Sequence, residues 1–249
     1  MRKLIFVLVV PLLAAPLLWG SPARAHEGCA SGTPGDDHIE CTRFDDVRDG
    51  DAGDDHVFGL PGADRLYGGD GDDHVYGGIG IDMVSGDAGD DALYGGPGND
   101  LLAGDGGDDY LSGDEGDDAL SSGSGTDVAD GGPGHDQIQT GTGSDEIIGG
   151  DGDDRIRAGS GADIVRASAG DDQLLGNAGA DRLFGGPGDD HIWGGRGTDG
   201  IHGGPGSDDI STSDGVKDRV SCGAGYDTVT ADLLDRILED CEEVVVEHG

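Results

Sequence analysis

The fold is decided by a nine-residue stretch that reads Gly68-Gly69-Asp70-Gly71-Asp72-Asp73-His74-Val75-Tyr76. The same unit repeats without a change of register from residue 32 to residue 211, which makes 20 units. Its pattern is glycine, glycine, any residue, glycine, any residue, aspartate, any residue, an aliphatic residue and any residue. A repeat this long and regular predicts an elongated repeat array rather than compact globular domains.

Three positions of the unit carry the pattern. Position six is aspartate in all 20 units, position four is glycine in 19, and position eight is Val, Ile or Leu in 18. The glycine-rich positions one to six predict a tight turn, since glycine adopts backbone conformations that other residues disfavour. Positions seven to nine predict a short strand whose position-eight side chain points inward. Two units then form one 18-residue coil around a thin aliphatic core.

The composition is strongly acidic. The chain has 249 residues, of which 53 are glycine, with a formal net charge of −39 and only 4% aromatic residues. So much negative charge excludes nucleic acid, anionic membrane surfaces and phosphate ligands as natural partners. Hard cations such as calcium are the partners that carboxylates prefer.

The amino-terminal segment has the pattern of a secretory signal peptide. Arg2 and Lys3 precede an apolar run, and a small-residue cleavage site ends at Ala25. The pattern predicts that residues 1–25 are removed and that the mature chain is secreted, with no membrane insertion after cleavage. An uncleaved anchor is the alternative, which Pro11 and Pro16 disfavour; association with the cell surface is a further alternative for the secreted chain.

The mature chain divides into three predicted parts. Residues 26–49 form an amino-terminal cap with the first two units, residues 50–211 form the regular array, and residues 212–249 contain degenerate repeats and a carboxy-terminal cap. Within the last part, Leu233 to Glu242 is predicted to be weakly helical, and Val244 to Val246 to be a strand. Caps of this kind cover the open ends of a repeat array.

Residues 18 apart should lie in neighbouring coils, spaced by roughly 4.7–4.9 Å. The position-six aspartates therefore form two rows of like charge, which repel one another unless a cation lies between successive rungs. The first ladder contains Asp37, Asp55, Asp73, Asp91, Asp109, Asp127, Asp145, Asp163, Asp181 and Asp199. The second ladder contains Asp46, Asp64, Asp82, Asp100, Asp118, Asp136, Asp154, Asp172, Asp190 and Asp208.

The unit resembles the glycine-aspartate nonapeptide of the RTX, or hemolysin-type, calcium-binding repeats, and this resemblance covers about 180 of the 249 residues. It implies an all-β parallel β-roll with Ca²⁺ in the turns of both edges. It also implies that the ladder aspartates and the carbonyl groups of the glycine turns are the ligands. This role carries over least securely to Asp46, whose turn lacks the glycines. No toxin, protease or lipase segment is present, so those activities of the family are not expected.

Filling every gap between rungs gives roughly 18 Ca²⁺ ions per chain. Because the core is thin, we expect the calcium-free chain to be disordered and calcium binding to drive its folding.

The four cysteines lie near the two ends of the predicted array. Ten coils span roughly 48 Å at strand spacing, so a cysteine at one end cannot reach the other end. We therefore predict two cap disulfides, Cys29–Cys41 and Cys222–Cys241. An even cysteine number after a signal peptide fits an extracellular location.

Other candidate groups lie on the outer strand faces. His38, His56 and His74 stack at position seven, and Phe58, Tyr76 and Tyr94 stack beside them at position nine. A transition-metal site and a sugar- or protein-binding surface are the functional interpretations; a solvated face and cross-strand packing are the simpler ones. No nucleophile–base pattern is present, so we do not expect an enzyme. The alternative function is an extracellular adhesion or carbohydrate-binding module that uses calcium only structurally.

Overall fold

The structure is a computed structural model that describes residues 30–238 and 240–247. The predicted signal peptide and Cys29 lie outside the described residues. The described chain is an all-β parallel solenoid that contains 26 strands and no helix. The prediction of a parallel β-roll is confirmed. Within the described residues, no helix is long and apolar enough to cross a membrane.

Two parallel sheets of twelve strands each face one another in the described chain. The first sheet contains β1 (His38–Glu40), β3 (His56–Phe58), β6 (His74–Tyr76), β9 (Ala92–Tyr94), β11 (Tyr110–Ser112), β13 (Val128–Pro133), β15 (Glu146–Asp151), β17 (Ile164–Ala169), β19 (Arg182–Phe184), β21 (Gly200–Pro205), β23 (Arg219–Ala224) and β25 (Arg236–Ile237).

The second sheet contains β2 (Val47–Asp49), β5 (Arg65–Asp70), β8 (Met83–Ala88), β10 (Leu101–Gly106), β12 (Ala119–Ser124), β14 (Gln137–Thr142), β16 (Arg155–Gly161), β18 (Gln173–Gly179), β20 (His191–Arg196), β22 (Asp209–Ser211), β24 (Thr228–Ala231) and β26 (Glu243–Val246). A short pair, β4 (Pro61–Gly62) and β7 (Ile79–Gly80), lies in two stacked turns. We call the turns that lead into the first sheet the first edge, and those that lead into the second sheet the second edge.

The register follows the 18-residue period. His56 lies opposite His74, and Val57 lies opposite Val75. Position eight points inward as predicted: Val57, Leu66 and Val75 are completely buried, whereas the residues on either side face outward. Stacking of these aliphatic residues from two sheets makes one continuous core along the axis.

The carboxy-terminal part departs from the 18-residue period. Gly200 pairs with Arg219 and Arg219 pairs with Arg236, so consecutive coils there differ in length. The predicted helix between Leu233 and Glu242 is wrong: a turn at residues 233–234 is followed by strand β25. Pairing with β23 satisfies the backbone of this segment between coils instead of within a helix, because Arg236 N–H donates to the carbonyl of Asp218.

The last strand and the disulfide complete this carboxy-terminal part. β26 contains the predicted Val244–Val246 strand and pairs with β24. Cys222 and Cys241 form the predicted disulfide, with their Cα atoms 5.2 Å apart. Cys41 is buried at the other end, and its predicted partner Cys29 lies outside the described residues, so that pairing stays a prediction.

Candidate metal centre

The ladder aspartates lie at the inner side of the turns, where the chain enters each strand. From Asp46 to Asp208 they are at most 3% exposed, while Asp37 at the open end is half-buried. From Asp55 and Asp64 onward, one carboxylate oxygen, Oδ1, accepts the backbone N–H of the ladder aspartate in the preceding coil. Asp55 Oδ1, for example, accepts from Asp37 N at 2.6 Å, and Asp73 Oδ1 accepts from Asp55 N at 2.7 Å. The two rows therefore run along the two edges as the period predicts.

The second carboxylate oxygen, Oδ2, is a buried atom without a hydrogen-bond donor in most rungs. A buried charged oxygen without a partner is costly, so native proteins supply a donor or a cation. Among the described residues, this orphaned Oδ2 occurs in Asp55, Asp64, Asp73, Asp82, Asp91, Asp100, Asp109, Asp118, Asp136, Asp145, Asp154, Asp163, Asp172, Asp181, Asp190, Asp199, Asp208, Asp218 and Asp227.

Asp218 and Asp227 extend the two ladders beyond the residues predicted from sequence. Asp218 Oδ1 accepts from Asp199 N at 2.7 Å, and Asp227 Oδ1 accepts from Asp208 N at 2.9 Å. Both aspartates keep an orphaned Oδ2. The degenerate repeats already contain an Asp-x-Val signal at each position, in Asp218-Arg219-Val220 and Asp227-Thr228-Val229, but a count restricted to the unbroken period misses them.

Burial and charge repulsion perturb these carboxyl groups. Burial raises the pKa of Asp73 to about 6, of Asp64 to about 7 and of Asp190 to about 8. The backbone N–H from the preceding rung opposes this rise, and the charges of neighbouring ladder aspartates add to it. A nearby divalent cation would keep such carboxylates ionised at neutral pH.

Backbone carbonyl groups lie beside the orphaned oxygens. A β-carbon added at Gly50, in position one of its unit, would lie 2.3 Å from Asp55 Oδ2 and 2.2 Å from the carbonyl oxygen of Gly68. We call this space, bounded by the position-six Oδ2 and the position-one carbonyl oxygen of the next coil, the cradle. In the described residues, no three acidic, histidine or cysteine side chains converge as a metal-binding group. The backbone carbonyl oxygens beside Oδ2 suit the flexible all-oxygen coordination of Ca²⁺.

The amino-terminal rungs differ because protein groups already occupy Oδ2. Thr33 donates to Asp37 Oδ2 through its backbone N–H at 2.6 Å and its hydroxyl at 2.9 Å. Thr42 does the same for Asp46 Oδ2, at 2.9 and 2.8 Å. Two donors on one oxygen leave Asp37 and Asp46 with less need of a cation than the inner rungs.

Arg48 adds a protein-borne positive charge at the same end. It stands at an inward position eight, and its guanidinium lies 3.4 Å from Asp46 Oδ1. Its side chain is only 11% exposed. An arginine in the core column is thus explained by its acidic partner.

Position-five side chains play a structural part that was not predicted from sequence. Asp54 Oδ1 accepts the backbone N–H of Asp72, and Asp72 Oδ1 accepts that of Asp90. These exposed carboxylates therefore tie each turn to the next along the outside of the edge. The direction is opposite to that of the position-six ladder, in which the later coil accepts.

The histidine and aromatic rows form on the outer face of the first sheet. The rings of His56 and His74 stack with centroids 4.8 Å apart. Phe58, Tyr76 and Tyr94 stack at 4.8 Å between successive centroids, within 4° of parallel. Tyr110 extends this row with a tilted ring 5.7 Å from Tyr94, although it occupies position seven.

Comparison with known proteins places this chain in a family. The model of the RTX calcium-binding nonapeptide repeat, written as four copies, matches eight stretches that together run from residue 49 to residue 210. The chain therefore belongs to the RTX calcium-binding repeat family, and it is a calcium-binding repeat protein of the β-solenoid type. No curated protein sequence matches it.

A solved structure supports the fold. It is the crystal structure of a hyperactive, Ca²⁺-dependent, β-helical antifreeze protein from an Antarctic bacterium. The alignment has a TM-score of 0.50 and 21% sequence identity, and it covers 90% of this chain and 80% of that protein. At this identity the likeness concerns the fold alone.

Proposed function

We propose that this protein is a secreted calcium-binding module in which Ca²⁺ occupies the cradles of both edges and drives folding. The observation that carries the proposal is the row of buried Asp Oδ2 atoms that have no hydrogen-bond donor. In units with glycine at position one, such as those of Gly50 and Gly104, this oxygen faces the glycine and a backbone carbonyl group of the next coil. Both kinds of oxygen are hard ligands that calcium prefers. We propose no enzymatic activity.

The ions would act mainly through charge. The chain carries 53 acidic and 14 basic side chains, and it stacks its ladder carboxylates at strand spacing. Up to roughly 18 divalent ions would offset most of this repulsion, in line with calcium's preference for carboxylates. In the absence of cations, mutual repulsion opposes the stacked coils, so binding and folding become one event.

The test is a calcium titration of the chain that begins at residue 26, followed by far-ultraviolet circular dichroism and calorimetry. We expect a transition from coil to β structure as many ions bind per chain. A matched titration with Mg²⁺ should give a much weaker transition, because Mg²⁺ requires stricter octahedral geometry and releases its water reluctantly. A spectrum that is already native in excess chelator, and unchanged by calcium, would contradict calcium-driven folding.

A second candidate is an extracellular adhesion or carbohydrate-binding module in which calcium is only structural. The aromatic row on the first sheet is the feature that favours it. However, the rings of Phe58, Tyr76 and Tyr94 lie nearly parallel and cover one another's faces. Sugars stack on exposed ring faces, so this geometry agrees better with cross-strand packing.

A glycan array with calcium-loaded protein distinguishes the two candidates. Binding that disappears in the variant Phe58→Ala/Tyr76→Ala/Tyr94→Ala would support the adhesion module. The control is Phe184→Ala, which removes an aromatic ring from the same face outside this row. An array without binding, from a protein that still takes up calcium, would leave calcium binding as the function.

A further inference from the structure

The position-one residues differ between the two edges. Position one is glycine in most units, because its α-carbon faces the cradle. On the first edge, however, three successive coils carry Ser122, Thr140 and Ala158 at this position. Over the same length the second edge has glycine at positions 113, 131 and 149.

The hydroxyl group of Ser122 occupies the cradle of its coil. It donates to Asp127 Oδ2 at 2.5 Å and lies 3.0 Å from the carbonyl oxygen of Thr140. The same two kinds of oxygen line the cradle at Gly104. An added β-carbon there would lie 2.3 Å from Asp109 Oδ2 and 2.7 Å from the Ser122 carbonyl oxygen. Both Ser122 and Asp127 are at most 1% exposed.

Asp127 is consequently unlike its neighbours. Its Oδ2 accepts a hydrogen bond from the Ser122 hydroxyl, whereas the Oδ2 of every other described ladder aspartate from Asp55 to Asp208 is orphaned. The next coil continues the pattern in part, because the Thr140 hydroxyl donates to the carbonyl oxygen of Ala158 at 2.7 Å. Two consecutive hydroxyl groups thus take oxygens that elsewhere face an open cradle.

We propose that the first ladder is interrupted at Asp127, where the Ser122 hydroxyl replaces the calcium ion of that coil. The first edge then binds calcium in two separate runs, one before and one after this coil, whereas the second edge has glycine at positions 113, 131 and 149 over the same length. The inference rests on the proposed function, since it concerns which cradles are filled. Its physical basis is that a neutral hydroxyl satisfies the carboxylate oxygen and also takes up the space that an ion needs.

The test compares the number of calcium ions bound per folded chain in matched aspartate variants. Asp127→Asn is compared with Asp109→Asn, one coil earlier on the same edge, and with Asp118→Asn on the other edge. We expect Asp109→Asn and Asp118→Asn each to lose calcium, and Asp127→Asn to keep the count of the unchanged protein. An equal loss in all three variants would overturn the interruption while leaving calcium binding intact.

A second pair of variants tests the hydroxyl directly and does not depend on altering an aspartate. Ser122→Gly reopens the cradle and should bind one more calcium ion per chain than the unchanged protein. Ser122→Ala removes the hydroxyl and gives Asp127 the same position-one residue that Asp163 has in Ala158, where Oδ2 is orphaned, so its count should rise as well. An unchanged count in Ser122→Gly would also overturn the proposal. If the unchanged protein binds no calcium at all, it is the proposed function that fails.

Discussion

Inside the array, the glycine at position four of a unit faces a carbonyl group of the coil before it. At Gly89 the backbone has φ +138°, and an added β-carbon would lie 1.9 Å from the carbonyl oxygen of Gly71. The same repeat position in the first unit is Gly35, where an added β-carbon would have nothing within 4 Å. One repeat position therefore combines backbone strain and steric conflict inside the array, but not at its open end.

We predict that Gly89→Ala destabilises the calcium-loaded protein by roughly 3 kcal/mol or more, because alanine is disfavoured at this φ and displaces the neighbouring coil. Gly35→Ala is the control and should change the free energy of unfolding by less than about 0.5 kcal/mol. Thermal unfolding at a fixed calcium concentration measures both values. Equal effects at the two positions would show that contact between coils is not what requires glycine.

At the scale of elements, the carboxy-terminal cap depends on partners distant in sequence. β25 and β26 end the two sheets, and β26 leaves Val244, Val245 and Val246 exposed. The disulfide joins Cys222, in β23, to Cys241, just before β26. It therefore fastens the last coil to a coil that lies inside the array.

Replacement of both cysteines, as Cys222→Ala/Cys241→Ala, should destabilise this end of the array by about 3 kcal/mol, since the bond joins residues with a sequence separation of 19. Hydrogen exchange should accelerate in β23 to β26 and stay unchanged in β5 to β10, which are far from the bond. Reduction of the unchanged protein should give the same acceleration in β23 to β26. Faster exchange spread evenly along the chain would mean that the bond stabilises the whole array rather than its cap.

At the scale of the whole molecule, the raised pKa values of the ladder predict an unusual pH dependence. Because burial raises the folded-state pKa to between about 6 and 8 in Asp73, Asp64 and Asp190, the folded chain binds protons more tightly than the unfolded chain. This contribution to stability is fully present below the unfolded pKa of about 3.9, and it is lost as the pH rises through the folded values.

The calcium-free protein should therefore hold more β structure at pH 4 than at pH 8. Circular dichroism after removal of calcium on a chelating resin measures the difference. In excess calcium the protein should instead remain folded at pH 8, because the ions replace the protons on the ladder. A calcium-free chain that is equally folded at both pH values would contradict the link between carboxylate protonation and stability.

Much of the fold follows from the sequence alone, because it depends on a local period that repeats along one axis. Nine residues make one turn and one strand, so the inward position eight, the 18-residue coil and the two aspartate rows can all be predicted. The Cys222–Cys241 bond follows for the same reason, since a long array keeps its ends apart. The position of a residue within the nine-residue unit therefore largely determines whether it lies in a turn, in the core or on an outer face.

Only the tertiary structure decided how each carboxylate is satisfied, because that depends on groups in other coils and on the side chains beside each turn. It shows that Thr33 and Thr42 supply donors at the open end, that Ser122 does so at Asp127, and that most other rungs keep an orphaned oxygen. It also shows a turn and a strand after Leu233 where the sequence predicted a helix, because pairing with β23 outweighs the local helical preference. The 18-residue period of the sequence specifies the two aspartate ladders, whereas contacts between coils determine which ladder carboxylates still need a cation.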